Sequence, residues 1–188
     1  MQIQKSDALV IVDLQNDFCP KGALAVPGGD EIVEPINQIL PLFSCIVTTQ
    51  DWHPPDHSSF AKQGGSWPPH CVQGTPGALL HPALVQDKVH LKIKKADAPD
   101  FDAYSGFEGT KLARELRGRN IERVFIVGLA TDYCVKQTAL DAVNEGFRTV
   151  VVTDLVRAVN VHPGDGEKAL GDMKKAGILF VQSSEIKA

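Results

Sequence analysis

Four short runs of apolar, mostly β-branched residues constrain the fold of this chain more than any other feature. These runs are residues 8–12, 45–49, 124–127 and 149–153. Because they are apolar at nearly every position, they suit strands that are buried on both faces of a parallel sheet. Residues 178–181 form a further apolar run. Residues 89–93 alternate between apolar and polar side chains, which predicts a strand nearer an edge of the sheet.

Helical patterns fill the segments between these runs. They cover residues 30–40, 109–117, 132–145 and 166–176, and Gly146 and Gly177 stand where two of these helices should end. The alternation of strands and helices predicts right-handed crossovers and a three-layer α/β/α fold around a six-stranded, mostly parallel sheet. A length of 188 residues is within the range of one domain. We therefore expect residues 1–188 to form a single domain.

Charge and composition exclude several classes of function. The formal net charge is -4, with acidic and basic residues mixed along the chain, so no basic stripe predicts a nucleic-acid partner. No apolar stretch approaches the roughly 20 residues that span a bilayer. The first apolar run is too short for the core of a signal peptide, and we expect a cytoplasmic protein. Its four cysteines lack CxxC spacing, which favours reduced thiols.

Reactive side chains follow four of the predicted strands. Asp13, Asp51, Lys95 and Cys134 each come at or just after the end of one of these strands. In an open parallel sheet, ligands bind beyond the carboxyl ends of the strands, where the strand order reverses. The sequence therefore predicts that these four side chains share one edge of the sheet.

Cys134 is the candidate nucleophile. It stands at the beginning of a predicted helix, where the unpaired amides and the helix dipole should lower the pKa of its thiol. The small residues at 128–131 could aim backbone N–H groups at a developing oxyanion. Taken alone, however, a free cysteine is most often a small buried hydrophobe.

Asp13 and Lys95 are candidates to assist the thiol. Asp13 could accept its proton and later pass a proton to a leaving amine, although an aspartate in this place could equally cap or pair within a loop. Lys95 could keep Asp13 ionised. By composition alone, it is better explained as a solvated member of a cluster with Lys92 and Lys94.

A long irregular segment, residues 50–86, is rich in proline, glycine and histidine, and loops of this length are usually functional. Asp51, His53 and His70 could bind zinc, iron or manganese and leave positions open for a substrate. Surface histidines that make ordinary hydrogen bonds are the alternative. His57 is a candidate fourth ligand or a support for the ligands.

Phe18 and Trp67 flank these polar groups along the chain. They could sandwich a flat aromatic substrate between their rings. Ordinary core packing explains two aromatic residues equally well.

At these residues the chain resembles the nicotinamidases, also known as pyrazinamidases, within the isochorismatase-like cysteine hydrolase superfamily. The likeness covers nearly the whole chain, and its specificity comes from the joint occurrence of five segments. They are VDLQNDFCPKGALAVPGGDEIV, TTQDWHPPDHSSFA, WPPHCVQGTPGA, AYSGFEGT and GLATDYCVKQTALDA.

The resemblance implies a six-stranded parallel sheet and a catalytic triad of Cys134, Asp13 and Lys95. The spacing to AYSGF selects Lys95, with the adjacent Lys94 as the alternative. An oxyanion hole formed by the amides of Ala130 and Cys134 is also implied, together with a non-proline cis peptide between Leu129 and Ala130.

The resemblance further implies one divalent metal ion on Asp51, His53 and His70, with zinc favoured over iron or manganese. Phe18, Trp67 and Tyr104 would complete the substrate pocket, and homo-oligomerisation is an expectation at the level of the family.

The activity implied is the hydrolysis of nicotinamide, and also of pyrazinamide, to the acid and ammonia through a thioester. One alternative is a related cysteine hydrolase that acts on another small amide, a carbamoyl compound or a vinyl ether. Another is a non-catalytic zinc or thiol protein. The presence of Asp51, His53 and His70 argues against the first alternative, and the lack of a second cysteine near Cys134 argues against a redox protein.

Overall fold

The computed structural model describes residues 1–188 and contains a single six-stranded sheet. The strands are β1 (Asp7–Val12), β2 (Cys45–Asp51), β3 (Leu91–Lys95), β4 (Arg123–Leu129), β5 (Arg148–Arg157) and β6 (Leu179–Val181). Their order is β3-β2-β1-β4-β5-β6, and every neighbouring pair is parallel. The predicted fold class is confirmed, and the alternating run does form an edge strand, β3.

Four α-helices connect the strands. They are α1 (Val33–Ile39), α2 (Leu112–Gly118), α3 (Lys136–Asn144) and α4 (Asp165–Lys175). The first three begin later than the sequence patterns predict; before α3, the segment Thr131–Val135 forms a π-helical turn. Gly146 and Gly177 have φ angles of 86° and 84°, which a glycine adopts without strain, so both predicted helix ends are confirmed. No helix is long and apolar enough to cross a membrane.

The sheet is buried on both faces by separate hydrophobic cores. Leu9 and Ile11 of β1 point into a core that also contains Ile36 of α1. Ala8, Val10 and Val12 point into the opposite core. That second core is closed by α2, α3 and α4 through the buried side chains of Leu116, Ala139 and Met173. Alternate side chains of one strand thus serve two cores, which explains why the strands are apolar at every position.

The strand order reverses between β1 and β4. The chain leaves β1 toward β2 on one side and leaves β4 toward β5 on the other, so the loops after β1 and β4 diverge. This divergence creates a crevice at the carboxyl ends of two adjacent strands, the usual ligand site of such sheets. The long segment between β2 and β3 lies beside it. Its only regular helical pieces are short 3₁₀ turns. A bridge between Gln15 and Leu80 joins it to the residues after β1, and a bridge between His53 and Val72 pairs two parts of the segment itself.

Candidate active and metal site

Lys95 brings the predicted reactive groups together in the crevice. Its Nζ lies 3.0 Å from Asp13 Oδ2, 2.5 Å from Asp51 Oδ1 and 3.5 Å from Cys134 Sγ. It also donates to the Ala103 carbonyl at 3.0 Å. All four reactive side chains are buried, and the Lys95 side chain is 0% exposed. The prediction that they share one edge of the sheet is therefore confirmed.

The identity of the lysine follows from the register of β3. Lys95 is the last residue of β3 and lies beside Asp51, the last residue of β2. Lys94 points to the opposite face, where it is exposed and its Nζ lies 3.4 Å from the centre of the Trp52 ring. Lys95, and not Lys94, therefore reaches the thiol. Its burial overturns the interpretation of Lys95 as a solvated surface residue.

Asp13 is held in a constrained conformation directly after β1. Its φ is 45°, uncommon for a residue with a side chain. Its amide donates to the Thr49 carbonyl and hydroxyl, and the Thr49 hydroxyl donates to Asp13 Oδ1 at 2.6 Å. Oδ2 accepts no regular hydrogen bond besides its ion-pair contact with Lys95. Thr49 thus occupies one carboxylate oxygen and leaves the other for the thiol proton.

Cys134 lies in the π-helical turn that follows β4. Its Sγ and carboxylate oxygens of Asp13 and Asp51 all lie within 4.8 Å of one another. Burial raises the pKa of the Cys134 thiol well above its usual value against the effect of Lys95, and the two carboxylates add to the increase. The expectation of a lowered pKa was wrong, because desolvation and two negative neighbours outweigh the effect of Lys95. The resting group is a thiol, and its ionisation requires a base.

Asp13 and Lys95 have charge states that suit the ionisation of the Cys134 thiol. Burial raises the pKa of Asp13 against the opposing effect of Lys95, which brings this carboxyl closer to the range of a general base. Burial alone would lower the pKa of Lys95, but Asp13 and Asp51 raise it well above its usual value. Lys95 therefore stays protonated and holds a permanent positive charge beside the thiol.

Asp51, His53 and His70 lie together as candidate metal ligands. Asp51 Oδ2 lies 3.6 Å from His53 Nε2 and 3.9 Å from His70 Nε2. The other nitrogen of each imidazole is engaged, since His53 Nδ1 pairs with the Ala96 carbonyl at 3.1 Å and His70 Nδ1 with the Pro68 carbonyl at 2.8 Å. With each Nδ1 donating to a carbonyl, each Nε2 keeps its lone pair for a ligand role, and the candidate ligand atoms of the three residues lie within 4.8 Å of one another.

The chemistry of this donor set fits a divalent cation. Burial lowers the pKa of His70, which favours the neutral, ligating form. Although burial opposes it, Lys95 lowers the pKa of Asp51, so this carboxylate is ionised. An ionised carboxylate beside two imidazole nitrogens is a donor set that suits zinc, iron or manganese.

His57 does not belong to the ligand set in this structure. Its ring stacks on His53 with 4.1 Å between the ring centres. Its Nδ1 contacts the Ser59 hydroxyl at 2.7 Å, and its Nε2 contacts the Phe101 carbonyl at 3.1 Å. Both nitrogens are thus taken by the protein. Of the two roles considered for His57, the structure supports the one that orients His53.

Gln15 is a site residue that the sequence analysis did not identify. The one sequence signal for it is its place two residues after Asp13. It is fully buried, and its side-chain amide pairs with the backbone of Asp51. Oε1 accepts from the Asp51 amide at 2.8 Å, while Nε2 donates to the carbonyls of Asp51 and Ala78, each at 2.9 Å. Gln15 therefore fixes the one residue that faces both Lys95 and the two histidines.

An aromatic pocket of about 470 Å³, its open mouth included, lies over Cys134. The predicted pocket residues Phe18, Trp67 and Tyr104 all line it, together with the metal ligands. Phe18 lies against His70 with 5.6 Å between ring centres, and Trp67 Nε1 donates to the Tyr104 hydroxyl at 3.0 Å. Tyr133 also lines the pocket and was not expected there, although it is adjacent to the nucleophile.

The predicted oxyanion-hole residues lie in the same pocket wall. Ala130 and Cys134 both line it, and the peptide between Leu129 and Ala130 is cis, as the resemblance implies. The Ala130 carbonyl accepts from the amides of Tyr133 and Val135 at 3.0 and 3.1 Å. These bonds tie the start of the π-helical turn to the residue before it, and the amides of Ala130 and Cys134 stay the candidates for the oxyanion hole.

Comparisons with known proteins agree with this geometry. Residues 7–185 match the model of the isochorismatase domain. The chain is 42% identical to a nicotinamidase of Escherichia coli, an alignment that covers 90% of this chain and 92% of the relative. A crystal structure of a pyrazinamidase of Pyrococcus horikoshii in complex with zinc is 50% identical, with a TM-score of 0.88 and coverage of 94% and 99%. The structure of PnC1 from L. infantum in complex with nicotinate gives a TM-score of 0.95 at 38% identity, with coverage of 100% and 98%.

Proposed function

This chain belongs to the isochorismatase family, and on that premise we propose that it is a nicotinamidase. It hydrolyses nicotinamide, and also pyrazinamide, to the corresponding acid and ammonia. The observation that carries this proposal is the single buried cluster in which Lys95 contacts Asp13, Asp51 and Cys134 while Asp51 faces two histidines. An acyl-transfer centre and a metal site thus share one carboxylate.

The reaction begins with proton transfer from Cys134 to Asp13. Because burial raises the pKa of the thiol, a base within reach is required, and Asp13 Oδ2 is the carboxylate oxygen that Thr49 does not bind. The sulfur attacks the carboxamide carbon, and the amides of Ala130 and Cys134 donate to the oxyanion. Ammonia leaves with the proton held by Asp13. Water then attacks the thioester, again with Asp13 as base, and releases the acid and the thiol.

Lys95 has an electrostatic role in this scheme. Its ammonium group contacts both Asp13 and the sulfur, so it stabilises the carboxylate before proton transfer and the thiolate after it. Asp51, His53 and His70 would hold a divalent ion, with zinc favoured over iron or manganese. When bound, this ion supplies a Lewis-acid site for the pyridine nitrogen and so fixes the orientation of the ring. Phe18, Trp67 and Tyr104 enclose the ring from the sides.

The direct test is ammonia release from nicotinamide by the wild type and by Cys134→Ala. We expect a loss of about a thousandfold or more in kcat for the variant, since removal of a covalent nucleophile acts on this scale in hydrolases. Cys45→Ala is the matched control. Cys45 is as buried as Cys134 but begins β2, whereas the site lies at the other end of that strand, where Asp51 stands. Equal rates for Cys134→Ala and the wild type would remove the thiol from the mechanism.

The metal assignment has a separate test. Bound zinc, iron and manganese are measured by elemental analysis in the wild type, in His53→Ala and in His162→Ala. The side chain of His162 is 83% exposed, so it controls for the mere loss of an imidazole. We expect one metal ion per chain in the wild type and the control. Unchanged metal content in His53→Ala would reject the ligand set.

Three broader expectations belong to the same proposal. A single domain over residues 1–188 is supported by one sheet that includes strands from both ends of the chain. A cytoplasmic location is supported by four free cysteines, which a reducing compartment maintains. Homo-oligomerisation stays a prediction from the family, and light scattering on the purified protein tests it.

A further inference from the structure

Tyr133 lies where the catalytic pocket and a second depression on the surface approach each other. It lines the pocket over Cys134 and also lines the neighbouring depression. The other residues that line the depression are Asp132, Lys136, His162, Asp165, Lys168 and Ala169. Tyr133 is thus the residue the two spaces share.

Aromatic contacts hold the Tyr133 ring in this position. Its centre lies 5.1 Å from that of Trp67 in an edge-on arrangement and 5.6 Å from that of Tyr104. Trp67 and Tyr104 are joined to each other by a hydrogen bond, whereas the Tyr133 hydroxyl makes no hydrogen bond to the protein. The backbone of Tyr133 is fixed by the bond from its amide to the Ala130 carbonyl. The ring, and not the hydroxyl, is therefore what forms the wall.

We propose that Tyr133 sets the size limit for substituents on the substrate ring. The inference rests on the proposed function, in that the substrate is a pyridine carboxamide whose reacting carbon lies at Cys134. With the Tyr133 ring in place, a ring substituent directed toward it meets an aromatic wall supported by Trp67 and Tyr104. Without the ring, the same substituent enters the depression beside Lys168 and His162.

The expected effect follows from the cost of fitting one extra group into a closed apolar pocket. A single additional methyl or methylene group changes kcat/KM by about 10 to 200-fold in such pockets. For Tyr133→Ala, we therefore expect the kcat/KM of at least one substituted nicotinamide, relative to that of nicotinamide, to rise at least tenfold over the wild-type ratio. Nicotinamide itself should be turned over less efficiently, because it loses a wall of its pocket.

The experiment measures kcat/KM for nicotinamide and for nicotinamides that carry a methyl or phenyl group at C2, C4, C5 or C6. The proteins are the zinc-loaded wild type, Tyr133→Ala, Tyr133→Val and Tyr133→Phe, each checked for its melting temperature. Tyr133→Phe retains the ring, so its selectivity should stay within threefold of the wild type. A tenfold gain in either small variant supports the proposal. A smaller gain in both, or an equal gain in Tyr133→Phe, overturns it.

Binding measurements separate this inference from the proposed function. The same ratios are determined as Kd values by calorimetry in zinc-loaded Cys134→Ala, with and without Tyr133→Ala. Absence of ammonia release by the wild type would refute the nicotinamidase activity, whereas the Kd ratios still decide the role of Tyr133. Active wild type with unchanged ratios would refute only the size limit.

Discussion

Replacement of Lys95 by methionine tests the electrostatic design of the site. Lys95 Nζ lies 3.0 Å from Asp13 and 2.5 Å from Asp51, and its side chain is fully buried. At these distances and an effective dielectric constant of about 20, each contact is worth about 5–7 kcal/mol of gross attraction. Desolvation of all three groups offsets most of this. Removing one partner of such a buried network typically costs about 3–5 kcal/mol, because uncompensated charge stays behind.

We therefore expect Lys95→Met to lower the free energy of unfolding by about 3–5 kcal/mol at pH 8. The loss should shrink toward pH 5. Without the ammonium group, the pKa of Asp13 in the folded protein rises further above its pKa in the unfolded chain. A group whose pKa is raised by folding stabilises the fold at low pH, and this contribution is lost as the pH increases. Protonation of Asp13 also removes one of the two uncompensated charges.

The assay is urea unfolding followed by circular dichroism at both pH values, with the metal removed by a chelator. Lys94→Met is the matched control, since Lys94 is the adjacent lysine but is exposed over Trp52. It should cost about 1 kcal/mol or less, the scale of an exposed cation–π contact. Equal losses for the two variants, or a Lys95→Met loss that grows toward pH 5, would refute the reasoning.

Three further predictions address other parts of the structure. Gln15→Leu removes the side-chain amide that pairs with the Asp51 backbone. The affinity for zinc, measured by competition with a chelator, should therefore fall about 10 to 100-fold. An unchanged affinity would contradict the role of Gln15 in positioning Asp51. Because burial raises the pKa of Asp13 above 3.8, protonation of this base should lower kcat/KM for nicotinamide as the pH falls, and the decline should begin above pH 3.8. A kcat/KM that stays constant down to pH 3.8 argues against Asp13 as the base. The fully buried Asp7 carboxylate accepts hydrogen bonds from Arg123 at 2.9 and 2.5 Å, and Asp7→Asn disrupts this pair. The free energy of unfolding, measured by urea titration, should fall by about 3 kcal/mol. A loss below about 1 kcal/mol would show that the pair adds little to stability.

Much of the fold could be predicted from the sequence because each strand serves two cores. Alternate residues of β1 enter opposite cores, so the strand is apolar throughout, and this pattern is readable without coordinates. The ends of the helices were less predictable. Residues 131–135 continue the helical pattern of α3 but form a π-helical turn, a distinction that depends on backbone bonds to Ala130 and not on side-chain periodicity.

The site was predictable as a set of residues, but its electrostatics were not. The predicted ends of the strands placed Asp13, Asp51, Lys95 and Cys134 at one edge of the sheet. The direction of the Cys134 pKa depends on burial and on two carboxylates contributed by other strands, which local sequence does not contain. The pairing of Gln15 with Asp51 likewise joins residues 36 positions apart. Such contacts become visible only when the strands are assembled.

Covalent attack by Cys134 is the central step of the proposed mechanism. Rapid acid quench during nicotinamide turnover, followed by peptide mapping with mass spectrometry, tests it directly. We predict a nicotinoyl group on Cys134 and none in an Asp13→Asn variant, which lacks the base. An adduct on Cys19, Cys45 or Cys71, or turnover without any thioester under conditions where breakdown is slow, would contradict it.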